Sequence, residues 1–305
     1  MRGTTTARGG AEAEAGASGS VILGRRFHEF HRRLEAIEED PSPGSVHELR
    51  IATRRLQAAL VLFRPLFDFP ADVTPSPLRQ VERQLGKLRD LDVLTARLST
   101  FSPVSERPEA EAAGARLAGV LVAGRKRALK RASAAIERRS LRRMAAALAA
   151  WLDDPRCSPV ASFPMSLLAP DLLLPLFART LLHPGWRLDE VPTPDTTAAN
   201  PLHSLRRRLK VLRYGVECLV DWYDEPIISW LDELHAMQDA LGAWHDEGLL
   251  LDRLREAQGP EAMHAESLER ARGAVARWPA WRARYLDPKA RASLRHLLDG
   301  PVSLP

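Results

Sequence analysis

Two stretches decide the fold when they are set one above the other: SVHELRIATRRLQAALVLF, residues 45–63, and PLHSLRRRLKVLRYGVECL, residues 201–219. At a constant offset of 156, His47-Glu-Leu-Arg50 falls on His203-Ser-Leu-Arg206, Arg54 on Lys210 and Leu56 on Leu212. The offset continues through Asp68 and Asp224, Pro70 and Pro226, Leu85-Gly86 and Leu241-Gly242, Asp90 and Asp246, and Arg97-Leu98 and Arg253-Leu254. Ser140-Leu-Arg142 then matches Ser293-Leu-Arg295 at 153, a net loss of three residues in a connection. Leucine coincidences are cheap in helical proteins, but His, Gly, Asp and Pro recurring at one offset are not. The pattern predicts a duplicated helical unit.

Both stretches have the helical period. In the first, Leu49, Ala52, Leu56, Ala59, Leu60 and Phe63 share one face, while His47, Arg50, Arg54 and Gln57 gather within about 80° on the other. In the second, Leu205, Leu209, Leu212, Val216 and Leu219 oppose His203, Arg206, Lys210 and Arg213. Arg55 and Arg207 flank the stripes. Each stripe climbs about 15 Å at the helical rise, enough to meet successive groups of an extended polyanion. A charged helix face is ordinarily balanced by acids one turn away. Here no acid breaks Arg50, Arg54 and Arg55, and the second stripe runs from Arg206 to Arg213 before reaching Glu217. Unbalanced like charge at matched positions favours an anion site, in which each His adds a donor that gains charge as the anion arrives.

Outward from these helices, apolar residues recur at three- and four-residue spacing along nearly the whole chain, which predicts an all-α protein. Turn punctuation predicts helices over about 21–39, 45–68, 76–100, 108–152 with a break, 167–182, 202–223, 227–257, 261–286 and 289–298. The implied plan is a disordered tail over 1–20, a first repeat over 21–152, a linker over 153–200, a second repeat over 201–298 and a tail over 299–305. Two four-helix bundles related by a pseudo-two-fold axis are expected. Gly86 and Gly242, inside helices, predict close helix approach. The apolar run Leu167–Leu182 is broken by Pro170, Asp171, Pro175 and Arg179, so no membrane insertion is expected.

With 305 residues, 45% of them hydrophobic, the chain can bury a core. Its 44 basic residues exceed 39 acidic ones for a net charge of +5, and only five are Lys, which leaves 39 Arg. Codon bias alone accounts for an arginine excess, so position decides its meaning. Residues 125–143 hold nine cations, among them Arg127, Lys130 and Arg131, against Glu137 alone, whereas 224–269 hold twelve acids against Arg253 and Arg255. Charge segregated in this way focuses an anionic ligand. Cys157 and Cys218 form no CxxC pair, consistent with a reducing cytoplasm. No phosphate-cradling Gly loop, HExxH or nucleophile paired with a base is visible, and His28 and His31 share a face without a third ligand. No catalytic residue, metal or cofactor is expected.

His47-x-Leu-Arg50-x-x-x-Arg54-Arg55, Leu88-Arg89-Asp90-Leu-Asp92, His203-x-Leu-Arg206-x-x-x-Lys210-x-x-Arg213-Tyr214-x-x-Glu217 and Met237-Gln238-Asp239-x-Leu-Gly242 followed by Asp246 together resemble the CHAD domain, the conserved histidine α-helical domain. The resemblance covers about residues 21–298. It implies two four-helix bundles with a basic centre that binds inorganic polyphosphate, and gives His47, Arg50, Arg54, His203, Arg206, Lys210 and Arg213 the phosphate contacts. Arg55, Arg207, Arg127, Lys130 and Arg131 extend that set by their charge, with Asp90, Asp246 and Glu217 expected to pair with the arginines and orient them. Gln57 stands where Arg213 stands in the other copy, which weakens the first half's expected grip. Many relatives carry a triphosphatase domain with an ExExK signature; Glu12-Ala-Glu14-Ala-Gly16 lacks its Lys, so binding without hydrolysis is expected. The alternatives are a nucleic-acid binder, disfavoured because the stripes lack stacking aromatics, and a protein-interaction scaffold. A cytoplasmic location is expected, with attachment to polyphosphate granules left open.

Overall fold

The computed structural model describes residues 13–100, 108–256 and 261–301. The outer parts of both expected tails, including Glu12, lie outside the described residues, as does the end of the helix expected to reach 257. Among the described residues are eleven α-helices: α1 Ala15–Glu39, α2 Pro43–Leu62, α3 Ser76–Thr100, α4 Pro108–Ile136, α5 Arg139–Asp153, α6 Met165–Leu181, α7 Asn200–Leu219, α8 Glu225–Glu256, α9 Glu261–Ala274, α10 Trp278–Leu286 and α11 Pro288–Asp299. The same residues contain no strand, only isolated bridges from Glu14 to Pro164 and from Phe67 to Cys157.

Local chemistry sets these bounds. Ser42 caps α2 by accepting from the Ser45 amide at 3.3 Å, and Pro43 occupies the first turn, where its missing N–H costs nothing. Asp287 and Pro288 start α11 in the same way, with the Ala290 amide donating to Asp287 at 2.6 Å. Both α2 and α7 are twenty residues long, and each runs into a short 3-10 turn, Arg64–Leu66 or Val220–Trp222.

Helices adjacent in sequence pack as neighbours. In the first half α1 lies on α2, α2 on α3 and α3 on α4; in the second α6 lies on α7, α7 on α8 and α8 on α9. The halves meet through α2 against α7 and α3 against α8, while α5 and α11 add outer layers. Nearly all buried apolar side chains belong to one continuous core, in which Trp186 stacks on Trp278 and Tyr285 with ring centroids 5.4 and 4.7 Å apart. A smaller cluster of Leu94, Leu117, Leu121, Leu250 and Leu254 joins α3 and α4 to the last turns of α8.

Three expectations are corrected. The tail does not extend to residue 20, because α1 begins at Ala15 and buries Ala15, Gly16 and Gly19; a Cβ on Gly16 would meet Cys157 Sγ at 2.9 Å. The interval 153–200 is not merely a linker, because α6 within it packs on α7 and so belongs to the second half. Burial of Leu168, Ala169, Leu172, Leu173 and Phe177 offsets the helix bonds that Pro170 and Pro175 cannot make. Despite its prolines and charges, Met165–Arg187 has the length and composition of a membrane span, yet its helical part lies against α1, α7 and α11. Finally, α11 runs to Asp299, so the second tail starts later than expected.

Candidate anion-binding site

The two stripes turn toward each other where α2 faces α7. Their apolar sides fill their own bundles, which leaves His47, Arg50 and Arg54 of α2 beside His203, Arg206 and Lys210 of α7, all half-buried. From the neighbouring α3 and α8, Asp90 and Asp246 lie in the field of Arg50, Arg206 and Lys210.

Cations crowded out of water need an anion or lose a proton. Burial, with repulsion from Arg206, Arg54 and Arg50 against the pull of Asp246, pushes the Lys210 ammonium down to about 6. Burial likewise brings Arg50 down to about 10, where Arg54 and Arg206 act against Asp90 and Glu82. Arg206 is lowered by burial and by Arg54, with Asp246 and Asp90 opposing. The same burial raises Asp90 and Asp246, although the surrounding cations pull them back.

On α2 and α7 four buried nitrogens have no hydrogen-bond partner among the described residues, and they are the same atoms on both helices: His47 Nδ1 with Arg50 Nε, and His203 Nδ1 with Arg206 Nε. An unsatisfied buried polar group costs about 1–3 kcal/mol, more when charged. The two arginine nitrogens can donate to an acceptor-rich ligand as they stand, and a histidine Nδ1 joins them where it carries a proton.

The halves differ in detail. Arg54 Nε donates to Glu82 Oε1 at 2.6 Å, whereas Lys210 forms no ion pair within 4.0 Å among the described residues. His203 Nε2 donates to the Pro194 carbonyl at 3.1 Å, and its ring lies 4.6 Å from Trp244 and 5.0 Å from His245. That bond fixes the proton on Nε2, so His203 Nδ1 becomes a donor only when the ring takes a second proton. Burial, then Arg206 and Arg207, keep His203 below its ordinary value despite the Pro194 bond. His47 is lowered by burial and by Arg89, Arg50 and Arg54, opposed by Glu48. His245 is pushed to about 3 by burial and by Arg206, His203, Lys210 and Arg50, and is therefore neutral. The segment before α7 lies over this half: Pro194 packs where a Cβ on Gly248 would come within 2.8 Å of it, and Asp195 pairs with Arg255.

Several expected site residues stand elsewhere or have other partners. Glu217 sits between Arg55 Nε at 3.2 Å and Arg213 Nη1 at 2.8 Å. Arg213 also donates to Gln238 Oε1 at 2.9 Å and lies 4.4 Å over the Tyr214 ring. Two expected phosphate ligands thus already share a carboxylate. Asp90 and Asp246 were expected to pair with arginines, but neither forms an ion pair within 4.0 Å among the described residues; each acts on Arg206 and Arg50 through its field alone. Arg207 is exposed, and so are Arg127, Lys130 and Arg131, which stand on α4, behind α3 and away from the α2–α7 seam. Gly86 and Gly242 do not mark close helix approach: nothing lies within 4 Å of a Cβ on Gly86, and on Gly242 the only close atom is Arg206 Nη2 at 3.9 Å. At Gly242 the missing side chain leaves room for the Arg206 head. His31 packs edge-on to Phe27 at 4.8 Å, and the described residues contain no metal-binding group of three His, Cys, Asp or Glu.

Glu82, His245 and Pro194 complete the site and were not singled out from sequence. The 156 offset carried a signal for the first two, since it sets Glu82 on Gln238 and Arg89 on His245. Pro194, in the connecting segment, has no counterpart to reveal it.

A family model described as the CHAD domain matches residues 21–255. Among solved structures, the chain is similar to the crystal structure of the CHAD domain from the plant Ricinus communis, at 23% identity over 97% of this chain and 94% of that one, with a TM-score of 0.62. It is also similar to PptA from Streptomyces chartreusis, at 21% identity over 88% of this chain and 99% of that one, with a TM-score of 0.61. No curated protein matches it. At these identities the structural likeness speaks for the fold.

Proposed function

This chain belongs to the CHAD domain family, and we propose that it holds inorganic polyphosphate, without hydrolysing it, in the basic centre between α2 and α7. The observation that carries the reading is the matched set of unsatisfied buried nitrogens, His47 Nδ1 with Arg50 Nε and His203 Nδ1 with Arg206 Nε. Polyphosphate offers an acceptor on every unit and no bulk beyond the phosphates, so a flexible strand can reach nitrogens that a base-paired duplex cannot. Arginine forks suit such oxyanions, and protonated His203 and Lys210 would complete the contacts. Base stacking has no platform here, because Trp244 and Tyr214 are both buried.

A competition titration tests this. Long-chain polyphosphate is expected to displace single- and double-stranded DNA at fixed salt, and its affinity to fall steeply with salt as counterions are released. Equal or tighter DNA binding would overturn the polyphosphate reading, and steady orthophosphate release in the presence of Mg²⁺ would overturn the non-enzymatic one.

A further inference from the structure

A cleft of about 860 Å³ opens beside the centre, between α3, α4 and α8. Lys87 enters it from α3, Arg127 and Arg131 from α4, and Arg253 and Arg255 from α8, over a floor that includes Leu94 and Leu121. Asp90 joins the two places, since it lines this cleft and also lies in the field of Arg50, Arg206, Arg54 and Lys210.

The charges in the cleft are not equivalent. The two α8 acids that line the cleft are already matched: Glu256 takes Arg253 at 2.5 Å and Asp252 takes Arg255 at 3.3 Å, with Asp195 pairing with Arg255 as well. Lys87, Arg127 and Arg131 are exposed and form no ion pair within 4.0 Å among the described residues. Three free cations therefore follow one free carboxylate, Asp90, on the way out. Arg127 and Arg131 are one helical turn apart, about 6 Å along α4, so they can meet different units of one strand.

We propose that this cleft is a second anion subsite through which a long polyphosphate leaves the centre, so that the protein grips long chains more tightly than short ones. Short chains occupy only the seam between α2 and α7. Longer ones continue past Asp90 over Lys87, Arg127 and Arg131. The inference rests on the polyphosphate reading of the centre, and it gives that reading a direction and a dependence on length.

The test compares tripolyphosphate with long-chain polyphosphate on the full chain. In Arg127→Ala/Arg131→Ala, long-chain affinity should fall roughly tenfold and the salt dependence should flatten by about two contacts, with tripolyphosphate affinity within about twofold of the unmodified protein. Arg139→Ala/Arg142→Ala removes the same charge from exposed positions outside the cleft, and should change neither affinity by more than about twofold. All four side chains are exposed, so circular dichroism and the melting temperature should stay unchanged. Equal losses for both lengths, no loss for the long chain, or the same loss in the control pair would each overturn the subsite while leaving the central reading intact. Failure of the unmodified protein to bind either polyphosphate would overturn both.

Discussion

The two halves of the site present the same His and Arg in the same register, but they keep their charge differently. In the first half the cation after Arg50 is Arg54, held by Glu82 at 2.6 Å, and His47 forms no hydrogen bond to a described residue. In the second the equivalent cation is Lys210, unpaired and brought down to about 6 by burial, and His203 is clamped between Pro194 and Trp244. The first half therefore holds its second cation against a carboxylate, while the second keeps one in Lys210 that an anion would recharge. Two helices that share a His and an Arg in register can thus supply a constant attraction and a titrating one, with the difference residing in the next cation and its neighbours.

The largest expected effect tests what the halves share. Arg50→Ala/Arg206→Ala should weaken polyphosphate binding by at least about a hundredfold, since each charge-assisted hydrogen bond is worth roughly 1.5–3 kcal/mol. Titration calorimetry measures the loss, and melting should show the free protein unharmed or stabilised, because two unsatisfied buried cations are gone. Unchanged affinity with intact helicity would remove the stripes from the site.

A smaller effect tests the titrating half. The Lys210 value in the free fold lies below its unfolded value, so bound anion raises it and takes up a proton. Around it stand Arg206 on its own helix, Arg50 and Arg54 from α2, Asp90 from α3 and Asp246 and His245 from α8. Polyphosphate affinity should therefore fall as pH rises above about 6, by at most about tenfold per unit for each proton taken up. The free protein should instead gain stability over the same rise, because the unfolded chain binds the extra proton. Lys210→Arg should flatten the affinity profile; a profile as steep as before would assign the proton elsewhere.

The smallest expected effect separates the histidines. His47→Ala should weaken binding with little change in melting temperature, whereas His203→Ala should also lower that temperature by about 2 °C through loss of the Pro194 bond and the Trp244 contact. Equal shifts would break the asymmetry described here.

Much of the architecture was legible from sequence because helical periodicity and turn residues act locally. Ser42-Pro43 and Asp287-Pro288 define helix starts, and the expected break in 108–152 falls between Ile136 and Arg139. Offset residues such as Arg50 and Arg206 placed the centre, because a repeated position keeps its environment. Glu217 pairs with arginines as expected, and Arg213 one turn away was legible, but its bond to Arg55 was not, since a pairing across 162 residues leaves no local period. Nor could periodicity show that the polar faces look at each other instead of at water, which is why Arg50 and Lys210 resembled surface residues in sequence. The role of α6 was obscured by Pro170 and Pro175, whose local cost is outweighed by tertiary burial.

The seam between α2 and α7 has the form of a subunit interface carried within one chain. In a symmetric homodimer each substitution would appear on both sides at once, and the site would assemble only at sufficient protomer concentration. Joined by the segment from 154 to 164, the partners meet at a fixed effective concentration, and each side is free to vary alone. Arg54 where the other side has Lys210, and Arg89 where it has His245, are differences that a symmetric homodimer could not carry.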